Sequence, residues 1–230
     1  MMELLASLDW SPFFITFKTA LVVTIFCFFL GLFAAAKIMK ATSGWKAVLD
    51  GILTLPMVIP PTVVGFFLLF FFSLRRPVGG FLYNQMGIKL VQTWTGCVMA
   101  AFIIAFPMMY RNARAAFEQV DPNLIDAAKT LGLSDRRIFW TIVVPAARPG
   151  IASGTILAFA RSIGEYGATS MFAGNIAGKT GTIAQAIAYV MKDGNYATAG
   201  VWVAIVMAIS FLIILFLNLV IGKRNIRRWK

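Results

Sequence analysis

The chain has 230 residues, 60% of them hydrophobic and 13% charged, with 21 basic and 9 acidic side chains and a net charge of +12. A soluble domain carries about a quarter charged residues, so a soluble globular fold and a disordered chain are both excluded. The composition implies an all-α polytopic membrane protein, and the excess of base fits nucleic acid, an anion pathway or membrane topology alike until the charges are located.

Histidine is absent, which removes the commonest general base and the commonest metal ligand. Cys27 and Cys97 sit inside apolar runs and read as packing residues. Residues 1–10 hold Glu3 and Asp9 but no base, which argues against a cleaved signal peptide.

Five segments reach the length of about 20 apolar residues that a membrane span needs. The first, about 13–36, opens with Ser11 as N-cap and Pro12 as the first helical residue. Its Lys18 lies near an end and can snorkel to headgroups. The second, about 51–74, is uncharged but holds Pro56, Pro60 and Pro61, which break or kink it. Such a break either lines a translocation path or is a packing kink. The third covers about 90–110. The fourth, about 150–172, carries Arg161 and Glu165. The fifth, about 196–222, is the longest uncharged run.

Five spans put the termini on opposite sides. One side holds Lys37, Lys40, Lys46, Arg111, Arg114, Lys129, Arg136, Arg137, Arg148, Lys223, Arg224, Arg227, Arg228 and Lys230. The other holds Arg75, Arg76, Lys89, Lys179 and Lys192. That bias predicts an outer N-terminus, a cytoplasmic C-terminus and a cytoplasmic loop at 111–149. The basic residues therefore track topology, which disfavours nucleic-acid binding.

The 111–149 loop has helix signals of its own. Asp121-Pro122 predicts a short helix through Leu131, stopped by Gly132, with Leu124, Ile125, Ala128 and Leu131 on one face. Ser134 caps a second helix containing Ile138, Phe139 and Ile142, which Pro145 and Pro149 end before the fourth span. The pair is either a docking knob or an interfacial pair on the lipid.

Asp126-Ala127-Ala128, three residues, Gly132, nine residues, Ile142, one residue, then Val144-Pro145 resembles the coupling loop of ATP-binding-cassette importer permeases. Asp stands for the usual Glu and Val for the usual Leu. Residues 159–168 and 174–182 are similar to segments of the molybdate, tungstate and sulfate branch, and 55–65 looks most like the molybdate permeases. The likeness covers roughly residues 10–220 of what reads as a single permease domain.

The resemblance implies a type I importer permease fold of five spans. It implies coupling through Asp126, Ala127, Ala128, Leu131, Gly132, Ile142 and Pro145. The implied partners are a second copy of the chain, two separate ATPase subunits and an extracytoplasmic molybdate-binding protein, in the lipid bilayer of a bacterial or archaeal cytoplasmic membrane. ATP and magnesium belong to the ATPase, so this chain has no cofactor, metal or catalytic residue of its own. Molybdate is the implied cargo, with tungstate, sulfate or thiosulfate as alternatives.

Arg161 and Glu165 are four apart and share a helix face. They read as an internal ion pair, either structural or beside the path and its gate with Pro56, Pro60, Pro61, Gly164 and Gly167. The small residues Gly150, Ser153, Gly154 and Ala158 suit close packing, within the bundle or between copies.

Gly178-Lys179-Thr180 is not a P-loop, because Ala173 stands where the first glycine belongs. The outer loop containing Gly174, Asn175, Gly178, Thr180 and Thr182 reads instead as a contact for a binding protein or the pore mouth, with donors that suit an oxyanion. An ion-coupled secondary transporter leaves the matched loop unexplained. A membrane enzyme lacks any convergent catalytic cluster.

Overall fold

The computed structural model describes residues 8–39 and 42–225. Residues 1–7 and the basic residues Lys40, Arg227, Arg228 and Lys230 lie outside the described residues. Ten helices follow in chain order: α1 Ser11–Met39, α2 Ser43–Thr54, α3 Pro61–Phe72, α4 Pro77–Met86, α5 Trp94–Glu118, α6 Pro122–Thr130, α7 Asp135–Ile163, α8 Gly167–Phe172, α9 Ile183–Lys192 and α10 Tyr196–Asn225. There is no strand among the described residues.

Helices α1, α5, α7 and α10 are each long and apolar enough to cross a membrane. A fifth span forms when α2 and α3 are taken together, although they bend by 103° at the intervening break. The structure thus has four unbroken spans, and the expected five when the bent pair is counted as one broken span.

The helix ends depart from the hydropathy boundaries. Asp9, not Ser11, caps α1: its carboxylate accepts the Ser11 amide at 2.9 Å and the Ser11 hydroxyl at 2.8 Å. Those bonds hold the Asp9 carboxyl below the usual carboxylate range. Helix α5 runs on to Glu118, so the loop begins later than residue 111. The largest correction is α7. Pro145 and Pro149 do not end the second loop helix, which continues unbroken into the fourth span. A π turn at Phe139–Val143 precedes Pro145. Its wider bonding ring accommodates a residue that has no amide to give.

Helices α1, α5 and α7 form the central packing. Side-chain volume sets their separation. A Cβ on Gly31 would lie 2.7 Å from Met109, one on Gly154 would lie 2.8 Å from Asn112, and one on Gly150 would collide with Ala116. The small-residue stripe of α7 therefore packs inside the chain, against α5. Val23, Cys27, Ala105, Met109, Tyr110 and Ala158 fill this core with no exposure. Cys27 and Cys97 are both buried and free.

Candidate functional site

The second span breaks where its prolines remove backbone donors. Leu55–Met57 forms one tight 3₁₀ turn containing Pro56. Pro60 then takes an extended conformation, and Pro61 starts α3. The fourth span breaks at Gly164, Glu165 and Tyr166 before α8 resumes at Gly167.

The two breaks meet. A Cβ on Gly167 would sit 2.9 Å from the Pro61 Cβ, and one on Gly65 would sit 2.7 Å from Met171 and 3.0 Å from the Ala168 carbonyl. Val64, Leu68, Ala100, Ile104, Ala168 and Phe172 close the junction as a separate small core.

Glu165 is 2% exposed at this junction. One carboxylate oxygen accepts the Ala168 amide at 2.7 Å and so caps α8. The other lies 3.2 Å from an Arg161 guanidinium nitrogen. A carboxylate buried in a membrane bundle needs such partners. The Arg161 side chain keeps 29% exposure, so part of its donor fork remains open. Pro60, Pro61, Arg161, Gly164, Glu165 and Gly167 are thus gathered around one interruption, with Pro56 in the turn before it.

In the 174–182 loop the two threonines are buried, Thr180 bonded to the loop's own backbone, so its open donors are confined to the exposed residues 175–179. The Thr180 hydroxyl accepts the Ile176 amide at 2.8 Å and donates to the Gly174 carbonyl at 3.1 Å. Thr180 is fully buried and Thr182 is 4% exposed. Gln185, also fully buried, donates to the Gly174 carbonyl at 3.0 Å and accepts the Thr182 amide at 3.0 Å. Asn175 and Gly178 remain exposed. The sequence reading missed Gln185, although a Thr followed three residues later by Gln is a capping-box signature.

At the opposite end, Asp121 accepts the Asn123 amide at 2.9 Å and starts α6. Gly132 takes a φ of +78°, the left-handed conformation that reverses the chain. Ala128 and Ile138 anchor the helix pair in the core at 4% and 3% exposure, with Ile142 half-buried beside them. The expected common face splits. Ile125 packs with Ala128, while Leu124 and Leu131 stand 52% and 80% exposed. Asp126 and Ala127 are exposed as well, and Pro145 is half-buried within α7.

A charged network nearby was also missed. Asp50 accepts the Tyr110 hydroxyl at 2.8 Å and pairs with Arg114, which reaches Glu118 at 3.0 Å, and Lys46 reaches Glu118 at 3.0 Å. It ties α2 to the end of α5. The available signals were a lone acid beside an apolar span and an Arg–Glu pair at helical spacing. Arg114→Ala is expected to lower stability by about 1–2 kcal/mol and Lys46→Ala, at the exposed rim, by under about 1 kcal/mol. Thermal unfolding in detergent reads both, and equal shifts would mean that Arg114 is not the hub.

Two interrupted spans meeting at a buried ion pair, with a short helix pair that exposes Leu124 and Leu131 at one end, fit a membrane transport protein. The family described as "Binding-protein-dependent transport system inner membrane component" matches residues 27–228, and the chain belongs to that family as a multi-pass membrane protein. It is 43% identical over 179 residues to the molybdenum transport system permease protein ModB of Escherichia coli K12, covering 78% of each chain. It is 38% identical over 213 residues to the putative molybdenum transport system permease protein YvgM of Bacillus subtilis 168, covering 93% of this chain and 94% of that one. In fold it is similar to a chain of the MetNI methionine ABC transporter in inward-facing conformations, with a TM-score of 0.72, 15% identity and coverage of 92% and 94%.

Proposed function

We propose that this chain is the permease subunit of an ATP-driven molybdate importer in a bacterial or archaeal cytoplasmic membrane, with its N-terminus outside and its C-terminus inside. The observation that carries the reading is the 43% identity to a protein named for molybdenum transport. Two copies form the pathway. Two separate ATPase subunits, which use ATP and magnesium, dock on the α6 end, where Leu124 and Leu131 offer apolar surface beside Asp126 and Ala127. Nucleotide-driven closure of the ATPases moves the loop and switches access at the junction of the two breaks. The part of the Arg161 fork not paired with Glu165 and the N-terminus of α3, which has no side-chain cap, suit a passing oxyanion. An extracytoplasmic molybdate-binding protein delivers the cargo, and the exposed Asn175 lies on the surface it approaches.

The test is uptake by proteoliposomes holding this chain, its ATPase and its binding protein. ATP-dependent molybdate uptake that exceeds sulfate uptake is expected. Sulfate-only uptake would overturn the cargo, and uptake by the chain without ATPase would make it a secondary transporter. In the same assay Leu131→Asp is expected to reduce ATP-driven uptake at least about tenfold, because it puts a charge at the centre of the apolar contact. If that variant retained both uptake and ATPase co-purification, the docking role of Leu131 would be lost.

A further inference from the structure

Two cavities border both α1 and α5, one near the starts of these helices and one toward the middle of α1. The first, of about 490 Å³, is bordered by Phe14, Lys18, Gln92, Trp94 and Lys179. The second, of about 190 Å³, is bordered by Phe26, Leu30, Val98, Met99 and Phe102. Both cavities border α1 and α5: the first at residues 14–18 and 92–94, the second two to three turns further along α1, at residues 26–30 and 95–102. The first cavity is cationic and the second is apolar.

Among the described residues no acidic side chain borders the cationic cavity. The Lys18 ammonium lies 4.1 Å from the Trp94 ring centroid, and Trp94 is fixed by its indole N–H donating to Thr19 at 2.9 Å. Among the described residues neither Lys18 nor Lys179 has a carboxylate partner. Gln92, at the cavity wall, has a φ of 58°, which side chains rarely adopt, and its amide is tied to the Phe172 carbonyl at 3.2 Å. Strained backbone of this kind concentrates at ligand sites.

We propose that the seam of α1 and α5 binds one anionic phospholipid, with its phosphodiester between Lys18 and Lys179 and one acyl chain lying past Phe26 to Leu30. Lys18 sits two turns inside α1, about 10 Å from the helix start, from where its ammonium can snorkel to a headgroup. From Lys18 to Leu30 the helix rises about 18 Å, close to the half-thickness of about 15 Å of a hydrocarbon core. A hydrated divalent oxyanion gains nothing from walls of Phe14 and Ile15, whereas a monoanionic headgroup that continues into an acyl chain matches both cavities. The leaflet, the outer one, follows from the orientation proposed above, but binding itself depends on neither orientation nor transport.

Native mass spectrometry of the purified full chain tests this by counting retained phosphatidylglycerol and phosphatidylcholine of identical acyl chains, with and without molybdate. One phosphatidylglycerol per chain is expected, held at least about tenfold tighter than phosphatidylcholine. The double variant Lys18→Gln/Lys179→Gln should remove that preference, and Lys192→Gln, outside the seam, should keep it. Lys179→Gln alone, at an exposed loop position, reports the same dependence if the double variant fails to insert. Met99→Trp should fill the acyl groove and weaken retention of both lipids. Equal retention of the two lipids, an unchanged preference in the lysine variants, displacement by molybdate, or loss of lipid whenever two copies associate would each overturn the proposal. The last result would assign the seam to the second copy.

Discussion

Arg161→Ala is expected to damage transport more than Glu165→Gln does. Removing the guanidinium leaves a carboxylate that is 2% exposed with only the Ala168 amide at 2.7 Å as partner. An orphaned buried charge costs about 3 kcal/mol or more, enough to reduce uptake at least about tenfold if the junction refolds around it. Glu165→Gln is milder for two reasons. The amide oxygen can still accept from Ala168 and cap α8. The arginine it leaves behind is 29% exposed, so it is not sealed in the core as the carboxylate is. Uptake and thermal unfolding of both variants decide the matter. If Glu165→Gln proved the more harmful, the carboxylate itself would be working in transport and not only as a cap and counter-ion.

The second large effect concerns the contact between the breaks. Gly65→Leu and Gly167→Val should abolish uptake while Gly200→Ala should not. Any Cβ at Gly65 meets the Ala168 backbone as well as Met171, so α8 itself has to move. Overpacking at such a contact costs about 1–3 kcal/mol before the displaced capping bond is counted. Gly200, in α10, has nothing within 4 Å of its hypothetical Cβ, so alanine there gains helix propensity at no steric cost. Wild-type uptake by Gly65→Leu would show that the junction is loosely packed and that its closeness is unimportant.

The local features of this site were legible because each is written within a few residues. Three prolines specify a break, a spacing of four specifies the Arg161–Glu165 pair, and Asp121-Pro122 with Gly132 specifies a short capped helix. The meeting of Gly65 with Ala168 and of Pro61 with Gly167 was not legible. It depends on absent Cβ atoms on segments far apart in the chain, and a missing atom has no period. Helix ends were misjudged for a different reason. Hydropathy measures apolar thickness, whereas the hydrogen-bond ladder of α5 continues through Arg111, Arg114 and Glu118. Pro145 and Pro149 misled because their rule describes an ordinary α-helix, and the π turn before Pro145 changes the bonding register. In the outer loop the burial of Thr180 and Thr182 was not legible, because composition cannot say whether a threonine faces water or its own backbone.

The continuity of α7 has a mechanical consequence. From Asp135 beside the coupling loop to Ile163 beside the break, its 29 residues make one rod about 43 Å long. Its one change of register is the π turn at Phe139–Val143, at the end beside the loop, and from Val144 to Ile163 the α-helix runs on without a break. A tilt applied beyond that turn would therefore reach Arg161 as a single movement, and would meet there the buried Glu165 and its bond to the Ala168 amide.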